Sequence, residues 1–268
     1  ISKTLGPEAA KRGAIVIDNS SAFRMDPEVP LVVPEVNPDD ILTHKGIIAN
    51  PNCSTIIMCL GLKPLHDLSP IKRIVVSTYQ AVSGAGKEGI EELERQVQEF
   101  TEGKEMTANL LPTGSAPKHY PVAFNLLPQI DVFLENDYTK EEMKMVYETQ
   151  KILHDDTIQV VPTTVRVPVY RSHSESVLVE TEAPVSVEDF RKVCAAFPGL
   201  QVKDNPAEQI YPMPLYTSNQ NDCEIGRIRK DLYNDKGMNF WIVGDQIRKG
   251  AALNALQIAE YLVEKQAF

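Results

Sequence analysis

The sequence lacks the features that mark several classes of protein. It has no apolar run approaching the roughly 18–20 residues that cross a bilayer, and residues 1–4 begin no apolar core of a secretory signal. None of its four cysteines forms a Cys-x-x-Cys pair. We therefore expect a cytoplasmic protein with reduced thiols, without disulfides and without a metal site.

Positive charge is also scarce. Lys and Arg total 27 against 37 Asp and Glu, which gives a formal net charge of −10. A surface this acidic repels nucleic-acid phosphates and anionic membranes, so we expect neither as a partner. With 268 residues, of which 43% are hydrophobic, the chain is long enough for one large or two medium domains.

The order of predicted strands and helices indicates two kinds of domain. Continuous apolar runs at residues 14–17 and 46–49 are typical of buried parallel strands. Strands and helices are mixed differently in the rest of the chain: strands are predicted at 73–79, 163–170, 176–181 and 238–243, and helices at 54–62, 87–100, 140–153, 185–197 and 246–264. The sequence thus predicts an α/β domain joined to an α+β domain.

Cys53 lies between an apolar strand and an apolar helix. Pro51 favours an extended conformation at Asn50, and Asn52 is a good N-cap, so Cys53 falls in the first helical turn. The free backbone N–H groups and the dipole of that turn favour a thiolate and can receive an oxyanion. The alternative is a small buried side chain in a strand–helix turn, and the local pattern leaves both open.

The other cysteines are predicted to have no catalytic role. Cys59 and Cys194 lie within apolar helices, and Cys223 follows polar residues in a predicted loop, where we expect an exposed thiol. Four of the five histidines are likewise predicted to be solvated or structural: His44, His66, His119 and His154.

His173 is the histidine best placed for catalysis. It precedes a predicted strand and follows another strand that carries Arg166. A spacing of seven puts two residues on opposite faces of an uninterrupted strand, so residues 170–172 must turn or bulge if both face one cleft. An Arg beside a His suits a carboxylate clamp next to a general acid/base, whereas the alternative is a salt bridge on an exposed sheet face.

Three further signals are weak individually. Glu141 and Lys144 share a helix face, as surface ion pairs do. Arg24 follows a parallel-type strand, where α/β proteins place ligand-binding loops. The Gly-rich turn at residues 83–89 can cradle a phosphate at a helix N-terminus.

Taken together, eight segments resemble aspartate-β-semialdehyde dehydrogenases, particularly the Gram-positive bacterial type. The segments occur in order along the whole chain: DNSSAFRM (18–25), NPNCST (50–55), STYQAVSGAG (77–86), HYPVAFN (119–125), YTKEEMK (138–144), VRVPVYRSHSESV (165–177), GRIRKDL (226–232) and RKGAALN (248–254).

The resemblance implies a covalent mechanism. Cys53 attacks the aldehyde of aspartate semialdehyde, a hydride passes to NADP, and inorganic phosphate cleaves the acyl-thioester to aspartyl phosphate. The biosynthetic direction, toward lysine, threonine and methionine, is the reverse. In this scheme His173 is the acid/base and Gln80 orients the substrate.

The resemblance also assigns the binding residues. Arg166 clamps the substrate carboxylate and Glu141 faces the amino group, while Arg24 and Lys144 hold phosphate and Asn52 adjoins the substrate. The cofactor contacts are carried by the Gly turn and the start of the last helix: Ser83, Gly84, Ala85 and Gln246.

The resemblance further implies a partial Rossmann-type NADP-binding domain, residues 1–51 and 244–268, and a catalytic and dimerisation domain, residues 52–243, with a mixed sheet. A homodimer or homotetramer is expected. The family's N-terminal Gly-rich part of the dinucleotide-binding domain has no counterpart in these 268 residues. We therefore expect weak NADP binding and no turnover from this stretch of chain alone.

Three alternatives remain open at this level. N-acetyl-γ-glutamyl-phosphate reductases share the cysteine chemistry, but a free amino group on the substrate favours an acidic partner such as Glu141. A Cys–His hydrolase would use Cys53 without a nicotinamide. A non-catalytic dimerisation module would show no thiol selectivity.

Overall fold

A computed structural model describes residues 1–267, which form two sheets. The smaller sheet holds two parallel strands, β1 (Val16–Asp18) and β2 (Ile47–Ala49). The helix α1 (Ser2–Ala10) packs against it from the start of the chain. The strand at 46–49 is therefore confirmed, and the first strand begins two residues later than predicted.

The larger sheet has six strands and is mixed, as predicted. Across the sheet the order is β4-β3-β5-β8-β7-β6, in which the β3–β4 and β6–β7 pairs are parallel and the other pairs antiparallel. The strands are β3 (Ile71–Gln80), β4 (Gln159–Arg166), β5 (His173–Thr181), β6 (Leu200–Val202), β7 (Cys223–Lys230) and β8 (Gly237–Gly244).

The helix α2 (Cys53–Leu68) covers one face of the larger sheet and is buried along most of its length. Its apolar side chains share one core with alternate residues of β5, among them Val177 and Val179. Such a helix is apolar on nearly every side because it packs between the sheet and further helices. The remaining helices are α3 (Lys87–Thr101), α4 (Lys140–Ile152), α5 (Val187–Ala196), α6 (Pro214–Thr217) and α7 (Leu253–Glu264).

The last helix returns to the beginning of the chain. Ile258 and Leu262 of α7 share a buried cluster with Ile41 and Ile48. The two ends of the chain therefore pack around the small sheet, whereas the stretch from α2 to β8 forms the large sheet and its helices. No described helix combines the length and apolar character that a membrane crossing requires.

Several predicted boundaries were wrong. Helix α2 continues to Leu68, past the predicted end at 62, and strands β4 and β5 begin at Gln159 and His173, before the predicted starts at 163 and 176. The strand predicted at 163–170 ends at Arg166, because Pro168 has no N–H to continue the ladder. The helix predicted from residue 246 begins instead with a π-helical turn, Arg248–Ala252, and the Asp245 carboxylate accepts the N–H groups of Ile247 and Arg248 just before it.

Four elements were not predicted, namely the short β6 and α6 and the longer α1 and β7. Helix α1 contains Gly6 and Pro7, both of which disfavour a helix interior. Strand β7 lacks clean alternation because it carries a register shift between Gly226 and Arg229. Neither segment has the periodicity on which a prediction depends.

Candidate active site

One cavity, with a volume of about 490 Å³, lies where the N-terminus of α2 meets β3, β4, β5 and α4. All but two of the twelve site residues predicted from the sequence line it: Arg24, Asn52, Cys53, Gln80, Gly84, Ala85, Glu141, Lys144, Arg166 and His173. Its other walls were not predicted, and include Ser21, residues 110–114, Ile130 and Asp131. These come from loops without a regular pattern.

Cys53 is the first residue of α2, as predicted from the Pro-Asn-Cys pattern. The Asn52 side chain caps the helix by accepting the N–H groups of Ser54 (3.0 Å) and Thr55 (3.3 Å). These two N–H groups are therefore used by the cap and are not free for an oxyanion, which corrects that expectation.

The Ser54 N–H at the start of α2 lowers the pKa of Cys53, which is the direction expected from the helix N-terminus, but stronger effects outweigh it. Burial raises the pKa of Cys53 to about 12, and the Glu141 carboxylate acts in the same direction. Arg166 and Arg24 lower this pKa but do not outweigh the desolvation. The resting thiol is thus protonated at neutral pH.

His173 is fully buried at the start of β5, and its two ring nitrogens have different surroundings. Nδ1 accepts the backbone N–H of Ala81 at 3.0 Å. Within residues 1–267, Nε2 has no hydrogen-bond partner. Burial, helped by the charge of Arg166, moves the pKa of His173 well below its usual value, so the ring is neutral. Since Nδ1 is an acceptor, the proton sits on Nε2 and the ring is a donor.

Arg166 ends β4 and faces the same cavity as His173. The chain leaves the sheet after Arg166 and re-enters it at His173 through a turn in which Ser172 has a φ of 73°. The predicted interruption at 170–172 is therefore confirmed. Arg166 is 4% exposed and its Nη1 donates to the Ala81 carbonyl oxygen at 2.7 Å, which excludes the alternative of an exposed sheet-face salt bridge.

Gln80, the last residue of β3, links the nucleophile's helix to α4. Its amide nitrogen donates to Ser54 Oγ at 2.7 Å and to Glu141 Oε1 at 3.2 Å. The side chain is 1% exposed. Its orientation is thus fixed from two sides.

Helix α4 presents two charged residues to the cavity, Glu141 and Lys144. The Thr139 N-cap and Glu142 form a capping box, which confirms the predicted helix start. Glu141 Oε2 accepts from Lys144 Nζ at 2.9 Å. Burial has the largest effect and raises the pKa of Glu141. The charge of Lys144 and the hydrogen bond from the Asn52 amide act in the opposite direction, and the net result is a lowered pKa. A buried carboxylate therefore faces the cavity.

Arg24 is held by a residue that sequence reasoning missed. Its Nη1 donates to Glu148 Oε1 at 3.1 Å, and Glu148 Oε2 accepts the Asn52 N–H at 2.6 Å. Glu148 lies seven residues after Glu141, two turns along the same helix face, and this spacing was the available signal.

The predicted cofactor residues divide into two groups. Gly84 and Ala85 line the cavity, where a Cβ on Gly84 would lie 2.7 Å from Arg166 Nη1. Ser83 and Gln246 lie behind it and hydrogen-bond to each other, while Gln246 Oε1 also accepts the Ser172 N–H. The absence of a side chain at Gly84 thus makes room for Arg166 and His173 beside this turn.

The other three cysteines are all buried. Cys59 and Cys194 lie within helices, as predicted. Cys223 is the first residue of β7 and is 0% exposed, so the predicted loop and exposed thiol were wrong. Among residues 1–267, no group of three or more His, Cys, Asp or Glu side chains is arranged to hold a metal ion.

Comparison with known proteins gives consistent matches along the chain. Residues 62–249 match the family model described as semialdehyde dehydrogenase, dimerisation domain, and residues 1–44 match the semialdehyde dehydrogenase NAD binding domain. The aspartate-semialdehyde dehydrogenase of Aquifex aeolicus is 55% identical over 266 residues, and that of Bacillus subtilis 51% over 263. Each alignment covers 98% of this chain and 76% of the relative.

A solved structure is similar over the same extent. Aspartate semialdehyde dehydrogenase II of Vibrio cholerae, crystallised in complex with ASA, superposes with a TM-score of 0.92 at 46% sequence identity. The match covers 98% of this chain and 76% of that one.

Proposed function

Because the chain belongs to the aspartate-semialdehyde dehydrogenase family, a family of oxidoreductases with a nicotinamide-dinucleotide-binding domain, we propose that its cavity performs this reaction through a thioester on Cys53, with NADP as the hydride carrier. Family membership confirms the resemblance found in the sequence. The observation that best supports the proposed mechanism is the convergence of Cys53, His173 and Arg166 on one cavity.

In the biosynthetic direction, the Cys53 thiolate attacks the acyl carbon of aspartyl phosphate. The S–C bond forms, the C–O bond to phosphate breaks, and phosphate leaves with the electron pair. NADPH, when bound, supplies the hydride that reduces the thioester. The resulting tetrahedral oxyanion re-forms the C=O bond as the C–S bond breaks, and the aldehyde and the Cys53 thiolate are released.

The side chains of the cavity match the charges of this substrate. Arg166 suits the α-carboxylate, because a guanidinium can form two parallel bonds to it. Glu141, a buried carboxylate, suits the ammonium group. Arg24 and Lys144 lie on the same cavity and suit the phosphate, and Asn52 joins these groups through its bond to Glu141 at 2.9 Å.

His173, the acid/base of the resemblance, is proposed to stabilise the oxyanion as a hydrogen-bond donor. With its Nδ1 bonded to the Ala81 N–H, the neutral ring directs an Nε2–H toward the cavity. It can therefore donate to the oxyanion in the direction of aldehyde formation. This donor compensates for the α2 N–H groups that Asn52 has taken.

Substrate binding also offers a route to the reactive thiolate. The Glu141 charge raises the pKa of Cys53, and a substrate ammonium beside Glu141 would cancel that charge.

Gly84 and Ala85 leave room for the nicotinamide near the thiol, while Ser83 and Gln246 support that wall from behind. We also propose that residues 1–51 and 244–268 belong to the NADP-binding domain, that residues 52–243 form the catalytic and dimerisation domain, and that the protein is a homodimer or homotetramer.

The test is Cys53→Ala in the full-length protein. Wild type should form NADPH over many turnovers only when aspartate semialdehyde and phosphate are both present, and without phosphate it should accumulate an acyl-enzyme, detected by intact mass, whereas Cys53→Ala should do neither. The matched control Cys194→Ala should retain both. Activity in Cys53→Ala, or product formation without nicotinamide as in a hydrolase, would defeat the proposal. A preference for N-acetyl-γ-glutamyl phosphate as substrate would favour the alternative activity, N-acetyl-γ-glutamyl-phosphate reductase.

A further inference from the structure

A second row of polar side chains lies beneath the cavity on the same face of the large sheet. Thr78 of β3 pairs in register with Thr164 of β4 on one side and with Glu175 of β5 on the other. Residues two apart on a strand face the same side, about 6.6–7 Å from each other. Glu175 therefore lies one step below His173, and Thr78 one step below Gln80.

This row is fully buried and its polar atoms are unpaired. Thr78, Thr164 and Glu175 are each 0% exposed. Within residues 1–267, neither carboxyl oxygen of Glu175 and neither threonine hydroxyl has a hydrogen-bond partner, and the same holds for Gln80 Oε1 above them. Buried polar groups are nearly always hydrogen-bonded, so such a concentration indicates bound internal water that joins them.

The hydrogen-bonding inventory favours a neutral Glu175. An ionised carboxylate and the Gln80 carbonyl oxygen are both acceptors, so the two threonine hydroxyls would be the only protein donors apart from the weak S–H groups of Cys59 and Cys223. A protonated carboxyl adds one O–H donor and removes a buried charge that lacks a counter-ion.

The surroundings of Glu175 agree with this inventory. The neighbouring titratable groups are His173 on β5, which is neutral, Cys59 on α2 and Cys223 on β7. Other charges act on these two thiols, namely Glu148 on Cys59, and Lys249, Glu35 and Asp222 on Cys223. On β8 the partner of Glu175 is Ile242. Burial alone raises the pKa of Glu175 well above its usual value.

We propose that Glu175 is a positioning residue: as a neutral carboxylic acid it binds internal water together with Thr78 and Thr164, and this layer holds the Gln80 amide against Cys53. The amide nitrogen of Gln80 is already engaged by Ser54 and Glu141. The water layer supplies the missing donor to its oxygen. The kinetic part of this proposal rests on the proposed function, in which Gln80 orients the substrate.

The protonation state is tested without any turnover. If the folded protein keeps Glu175 neutral, it binds one more proton than the unfolded chain above the ordinary carboxyl pKa, so wild-type stability falls as the pH rises. Glu175→Gln removes this contribution to the pH dependence. The unfolding equilibrium constant of Glu175→Gln, divided by that of wild type, should therefore fall about tenfold per pH unit between about pH 5 and pH 7.

The control for that measurement is Glu180→Gln. Glu180 lies on the same strand but is half-exposed and paired with Arg73 at 3.5 Å. Its stability difference from wild type should not show this slope. A flat difference for Glu175→Gln would show that Glu175 is ionised in the fold, and would overturn the proposal whatever the enzyme's activity. The infrared carbonyl band of a carboxylic acid should likewise be lost in Glu175→Gln.

Kinetics then test the positioning role. Glu175→Gln keeps a donor and an acceptor and should retain kcat within about threefold, whereas Glu175→Met should lower kcat roughly tenfold or more because the Gln80 amide loses its support. Loss of activity in Glu175→Gln, or full activity in Glu175→Met, would overturn the role. If Glu175→Met does not fold, Thr78→Val, which removes one hydroxyl of the layer, replaces it with the same expected direction.

Discussion

Gly84→Ala should damage the reaction much more than the fold. Gly84 lies in the short 3-10 turn Val82–Ala85 and is exposed. An added Cβ would lie 2.7 Å from Arg166 Nη1 and 3.1 Å from His173 Cε1. To reach an ordinary contact of 3.4 Å, the guanidinium must move by about 0.7 Å. Arg166 is buried, so this movement strains its 2.7 Å bond to the Ala81 carbonyl oxygen.

The expected magnitudes follow from these distances. Weakening one buried hydrogen bond costs about 1 kcal/mol of stability, whereas misplacing a substrate clamp by close to 1 Å can cost about 10²-fold in rate. We expect kcat/KM for aspartate semialdehyde, measured by phosphate-dependent NADPH formation in the full-length protein, to fall by about this factor.

Gly6→Ala is the matched control, because its Cβ would lie 3.4 Å from Phe23, within helix α1 and away from the cavity. It should leave kcat/KM unchanged. If Gly84→Ala keeps kcat/KM within about threefold of wild type, Arg166 and His173 do not act at the positions described here.

Three further predictions concern the Cys53 thiol, Glu141 and the cap of helix α4. Because burial raises the pKa of Cys53 to about 12, its alkylation by iodoacetamide in the ligand-free protein should accelerate about tenfold per pH unit between about pH 7 and pH 10; a plateau near neutral pH would show a low-pKa thiolate instead. Glu141→Gln should speed this alkylation at neutral pH, since Glu141 raises the same pKa, while it weakens aspartate semialdehyde binding; slower labelling would contradict the electrostatics. Thr139→Ala removes the capping box of α4 and should lower the free energy of unfolding by about 1 kcal/mol, measured by denaturant titration, whereas the exposed Thr101→Ala should have little effect.

The sequence predicted the positions of the chemical groups well. Cys53 was placed from Pro51 and Asn52, whose backbone preferences are local and survive in the fold. The turn between Arg166 and His173 was required by strand periodicity alone. These inferences succeed because spacing determines which side chains share a face before any packing is known.

The electrostatics of the site could not be predicted in the same way. The expected activation of Cys53 by the helix N-terminus depends on exposure, and exposure is set by residues distant in the sequence. Similarly, the sequence identified Asn52 as a cap. It did not show that the Asn52 side chain would occupy the N–H groups expected to bind an oxyanion, because this depends on the three-dimensional geometry. The burial of Cys223 depends on β7, whose irregular register removes its periodic signal.

The main chain of Ala81 holds two of the side chains in the nucleophile's cavity, the neutral His173 and the charged Arg166. Its N–H fixes the ring of His173 and its carbonyl oxygen holds Arg166. Because both contacts come from the main chain, saturation mutagenesis of this codon would vary only side-chain volume; proline alone could delete one contact, and no residue could delete the other. Transplanting the pair into another scaffold therefore requires copying the backbone path of residues 80–82 rather than its amino acids.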